Sequence, residues 1–208
     1  MSKTQAVKLI LENLSMIEEV YNFVDKELSP SLFNAIDNTI KDELGDWVGF
    51  FDFYENDTTF CPKHFLTAEL NKTLDYRNSI ARYTFYQVDD INYYWISNLF
   101  NINGNLMKFT FVGHWGNENF NFTNGKWKKF CQQENEKYPQ IQKAGFKFNE
   151  KEGNWYLPIQ PLNIHKVIEC YESDLDEAMD PIRDACRILL ETHIYFEKIM
   201  EDAKSYKG

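Results

Sequence analysis

Few residues in this chain are spaced to do chemistry. Cys61 and His64 stand three apart, half of a zinc spacing, because a thiolate and an imidazole one turn apart can share a tetrahedral ion. No second Cys-x-x-Cys or His-x-x-x-His pair completes the shell, and His114, His165 and His193 are each isolated. Neither a bound metal nor another cofactor is therefore expected, since no G-x-G-x-x-G or P-loop is present either. Asp52 and Glu69 are the conceivable acids of a metal-dependent nuclease or hydrolase, whose ion would sit between carboxylates and orient a water. The lysine that such a core needs falls at Lys72, three residues after Glu69, which on a strand is the opposite face. Asp52, Glu55 and Asp57 read more simply as a solvated strand end. No G-x-S-x-G elbow marks a nucleophile. In the loop over residues 113 to 122, Gly113 and Gly116 bracket His114 and Trp115. With Tyr94 and Trp95 these are the candidates for an aromatic ligand pocket, against the commoner packed turn.

Charge is more informative than any motif. From Val167 to Asp202 there are eleven acidic residues and three basic ones, an excess of eight out of the chain's ten net negative charges. Glu169, Glu172, Asp174, Asp176, Glu177, Asp180 and Asp184 form the densest part, and Asp176, Asp180 and Asp184 would repel at four-residue spacing on a continuous helix. The plain reading is a solvated acidic face. The sharper one is a docking surface for a basic protein, with carboxylates occupying sites that phosphates otherwise fill.

The whole-chain balance points the same way. A net charge of -10 with a pI near 4.9 opposes direct binding to nucleic acid. No apolar run reaches the roughly 18 to 20 residues of a membrane span, and Lys8 and Glu12 interrupt the apolar N-terminal stretch, so a cytoplasmic protein with no membrane partner is expected. Cys61, Cys131, Cys170 and Cys186 sit within apolar patterns and read as buried free thiols. Abundant Phe, Tyr, Asn, Lys and Ile is the usage of an AT-rich genome, which suggests a bacterial or phage source.

The elements that must position these residues follow from periodicity. Val7, Ile10, Leu14, Ile17, Tyr21 and Val24 predict an amphipathic helix over 4 to 25. Ser29 with Pro30 predicts a capped second helix ending at Gly45, folded back on the first as an antiparallel hairpin. Residues 46–54, 82–88 and 91–100 read as strands, and Asn103-Gly104 as a type I′ turn pairing 91–100 with the strand after it, where Met107, Phe109 and Phe111 alternate with polar residues. An irregular crossing with a short strand or helical turn is expected over 61–79, a short helix from 126, interrupted by Pro139 and ending near Gly145, and a hairpin over 145–159 turning at Glu152-Gly153-Asn154. Asp180 with Pro181 predicts a capped helix burying Ile182, Cys186, Leu189, His193, Phe196 and Met200. The expected fold is a single α+β domain over 1–208: N-terminal helical hairpin, antiparallel meander of about five to seven strands, and a long C-terminal helix packed on the sheet. The expected function is a non-catalytic acidic interaction module, such as an inhibitor or immunity-type regulator, with the hydrolase and the aromatic ligand pocket as alternatives.

Overall fold

The computed structural model describes residues 2–55, 57–70, 73–87, 95–102, 104–120 and 122–206. Helices α1 (Lys3–Glu12) and α2 (Leu14–Phe23) lead through a π turn (Val24–Leu28) into α3 (Ser29–Leu44). These helices run on into one another instead of folding back. Ser29, expected as a cap, has helical φ and ψ and makes no side-chain cap. Pro30 ends no helix because the wider π turn directly upstream takes up the clash and the lost N–H that its ring imposes. Nothing in α1 or α2 is buried, so the stripe from Val7 to Tyr21 faces solvent, while α3 buries Leu32, Phe33, Ile36 and Ile40. Gly45 ends α3 at φ +63°, where a side chain would be strained.

Six strands follow: β1 (Val48–Phe51), β2 (Thr58–Cys61), β3 (Ala81–Gln87), β4 (Met107–Gly113), β5 (Lys147–Asn149) and β6 (Asn154–Pro158). They form one antiparallel sheet in the order β1-β2-β3-β4-β6-β5. Register aligns Phe60 with Tyr83, Tyr83 with Phe111, and Phe111 with Trp155, which puts four buried rings in a row on one face. Across that face lies α8 (Asp180–Ser205), and Phe196 meets Phe111 at 4.4 Å and Tyr83 and Trp155 at 5.9 Å between ring centroids. Each such ring contributes about 1.5–3 kcal/mol by burial. All six residues expected on the inner stripe of α8 are buried.

Two further expectations do not hold. Residues 95–99 form a short helix, α4 (Trp95–Leu99), not a strand, and β3 pairs directly with β4, so Asn103-Gly104 does not join two paired strands. Asn103 itself lies outside the described residues, and Gly104 does carry a positive φ of +77°. The aromatic run supplies helical contacts instead: Trp95 packs on Phe53, Leu99 is buried, and the Asn98 amide donates to Gln87 Oε1 at 2.8 Å. Asp180, expected as an N-cap, is already helical, because a 3₁₀ helix (Leu175–Met179) runs straight into α8. Asp174 caps that 3₁₀ turn, accepting from the Asp176 N–H at 2.9 Å.

Helices α5 (Asn124–Lys137), α6 (Pro139–Lys143) and α7 (Ile164–Cys170) complete the fold, and the β5–β6 hairpin turns where expected, with Gly153 at φ +67°. No described helix is long and apolar enough to cross a membrane.

Candidate metal centre

His193 and Glu197 stand one turn apart on α8, on the side that lies over β2 and β3. Four residues of helical spacing put both side chains on one face. After β2, Pro62 leads into a single 3₁₀ turn (Lys63–Phe65) that carries His64 to the same place. One ligand atom from each of His64, His193 and Glu197 lies within 4.8 Å of the others, the one such group of three among the described residues. Glu197 Oε1 is 3.1 Å from His64 Nε2 and 3.5 Å from His193 Nε2. Ligands at about 2.0–2.1 Å in a tetrahedral shell stand about 3.3 Å apart, so two of the three separations already suit one ion.

The three side chains sit at different depths. His193 is 9% exposed, Glu197 37% and His64 61%. Around the inner imidazole, Trp47 packs edge-on at 4.7 Å, Phe65 lies at 5.4 Å, and Tyr83 places its hydroxyl 2.9 Å from Nδ1. Burial pushes the His193 pKa down to about 4, helped by the nearby His64, so the ring is neutral near pH 7. Tyr83 is fully buried and pushed well above its ordinary value by burial, so it keeps its proton. The second His193 nitrogen, Nε2, is buried and makes no hydrogen bond. When Nδ1–H donates to Tyr83, Nε2 is left with a buried lone pair 3.5 Å from a carboxylate oxygen, an arrangement that a cation between them relieves.

The residues singled out in the sequence are dispersed. Cys61 is fully buried in β2, alternates with Phe60 and so points to the other face of the sheet, and burial pushes its thiol up to about 12. All four cysteines are buried and free. Asp52 lines a cavity of about 470 Å³ with Asp57, Thr59, Thr73 and Arg82, whereas Glu69 is exposed and is not among its walls. Lys72 and Tyr94 lie outside the described residues. Trp95 lines one cavity with Phe53 and Tyr86, while His114 and Trp115 line another with Tyr76, so they do not share a pocket.

Several of the acidic residues have partners within the chain. Arg183 clasps Asp176 and Asp180 and reaches Glu43 at 3.8 Å, Lys166 meets Asp180 at 2.7 Å, and Arg187 meets Asp184 at 3.0 Å. Asp176 is in the 3₁₀ turn, so the expected four-residue ladder of like charges is answered by interleaved cations. Glu169, Glu172 and Asp174 are exposed and make no ion pair among the described residues.

No protein-family model, curated protein or solved structure matches the chain. Geometry therefore carries the functional argument. His193-x-x-x-Glu197 was present in the sequence as two ligand types at helical spacing. What the sequence could not supply was His64, which long-range packing brings to them.

Proposed function

We propose that this protein binds one divalent transition-metal ion of the zinc class through His64, His193 and Glu197, and that the ion activates water. The observation that carries the reading is the buried Nε2 of His193, which makes no hydrogen bond and lies 3.5 Å from Glu197 Oε1, while Tyr83 stands 2.9 Å from the other nitrogen. Two imidazoles and one carboxylate suit zinc and its first-row neighbours better than magnesium or calcium, which prefer oxygen-only shells. Three protein ligands leave a tetrahedral ion one position, and the exposure of His64 puts that position toward solvent. A water bound there would lose its proton near neutral pH and serve as a nucleophile, which makes hydrolysis the reaction class. Equilibrium dialysis of tag-free protein against zinc, read by elemental analysis, tests this. One ion per chain is expected, with binding at least tenfold weaker in His64→Ala and in Glu197→Gln. Tyr83→Phe keeps all three ligands and should weaken binding by about ten- to a hundredfold. Unchanged binding in both ligand variants would sink the proposal.

A second reading, docking of a basic protein on segment 169–184, keeps one observation in its favour. The exposed Glu169 and Glu172 follow closely in sequence on Ile164 and Ile168, which are 46% and 68% exposed, so the segment offers both charge and apolar surface.

A further inference from the structure

A separate cavity of about 290 Å³ opens where the π turn and α3 meet the β1–β2 turn, with β3 and α4 closing its sides. That volume is at the small end of ligand pockets. Phe53, Tyr86 and Trp95 form a corner of rings: Trp95 stands at 88° to Phe53, with centroids 4.9 Å apart, and at 76° to Tyr86, with centroids 5.1 Å apart. Two carboxylates, Asp25 and Asp57, join them, and among the described residues no lysine, arginine or histidine lines the space. The Tyr54 hydroxyl donates to the Asp25 carbonyl at 2.5 Å, which ties the π turn to the β1–β2 turn across the rim.

Aromatic faces are negative at their centres, and mutually perpendicular rings present faces in more than one direction. An anion would meet the quadrupoles and both carboxylates with the wrong sign. A neutral apolar guest would leave the carboxylates without a counter-charge from the ligand. Asp57 also lines the neighbouring cavity, where its charge acts on Arg82, and Asp25 Oδ1 lies 3.4 Å from the Tyr54 hydroxyl, so among the described residues each carboxylate has one contact within the chain and is otherwise open to this cavity.

We infer that this cavity binds a small organic cation of the alkylammonium class, with Trp95, Tyr86 and Phe53 as the π walls and Asp25 and Asp57 as the counter-charges. The site is distinct from the metal centre and stands without it.

The probe is tetramethylammonium chloride, followed in ¹H–¹⁵N spectra through the Trp95 indole resonance, which Trp95→Phe identifies by its disappearance. Saturable movement of that resonance is expected with tetramethylammonium and with n-butylammonium. Neither sodium chloride at equal ionic strength nor tert-butanol, a neutral mimic of similar shape, should reproduce it. The double variant Asp25→Asn/Asp57→Asn should raise the midpoint roughly threefold or more. Equal saturation by tert-butanol would overturn the inference in the native protein without any variant, as would no saturable shift with either cation. An unchanged midpoint in the double variant, with the other indole signals in place, would overturn the part assigned to the carboxylates.

Discussion

His114 shows how one buried side chain sets a response to pH. Its backbone N–H donates to the Ile80 carbonyl at 2.8 Å and its Nδ1 lies 2.9 Å from the Ser79 carbonyl, so it fastens the end of β4 to the segment before β3. Burial pushes its pKa down to about 4; the Ser79 bond and Asp75 oppose this and Arg82 adds to it. An unfolded histidine titrates near 6.5, so between about pH 6.5 and 4 the unfolded chain holds the extra proton and stability falls as pH falls. The neutral ring's contribution is complete above that window, and about 3 kcal/mol is lost across it. Asp37, raised to about 6 mainly by burial, acts with opposite sign, since the folded chain takes its proton first and gains stability as pH falls from about 6 to 4. His114→Asn keeps a donor for the Ser79 carbonyl and removes the titration. Urea unfolding at several pH values should therefore show wild type losing more stability than this variant from pH 6.5 to 4. Parallel curves would contradict the assignment.

Among the elements, α3 is tied to the β1–β2 turn by the Asp37 carboxylate. Asp37 accepts the Phe53 N–H at 2.8 Å and the Thr58 hydroxyl, which fixes both sides of the β1–β2 turn on the helix. Asp37→Ala strands both donors in the interior, and equilibrium unfolding should register a loss of about 2–4 kcal/mol. A loss under about 1 kcal/mol would mean that water or relaxation replaces the carboxylate. Elements with a strict period were the more legible in the sequence: the inner stripe of α8, the buried Met107, Phe109 and Phe111 of β4 and the β5–β6 hairpin occur where the pattern puts them, although Thr110, expected on the wetter face of β4, is buried as well. What failed were boundary signals whose effect depends on what precedes them. Ser29-Pro30 and Asp180-Pro181 look like helix starts, yet each follows a π or 3₁₀ turn and lies within continuing helix. Gly104 takes the positive φ that Asn-Gly advertises, but α4 stands before it, because Trp95 and Leu99 bury better as a helical turn against Phe53 and the core.

At the scale of the whole molecule, α8 links everything that the sequence kept apart. It covers the ring row of the sheet, contacts α3 and supplies two of the three residues of the candidate metal centre. The third, His64, is far away in sequence, and no periodicity could have joined it to His193. The charge excess was legible as arithmetic, but not the Arg183 and Lys166 clasps that answer part of it. The docking reading is therefore best tested at Glu169 and Glu172. Glu169→Gln/Glu172→Gln should slow association with an immobilised lysine-rich polypeptide several-fold more than Glu12→Gln/Glu19→Gln, which changes the net charge equally. Equal slowing by the two variants would return the segment to a solvated face. X-ray absorption at the zinc edge of the zinc-loaded protein tests the proposed metal centre. The expected spectrum shows a shell of nitrogen and oxygen neighbours at about 2.0–2.2 Å with two imidazoles and no sulfur, losing one imidazole in His64→Ala. A sulfur neighbour at about 2.3 Å, or a shell unchanged in His64→Ala, would contradict it.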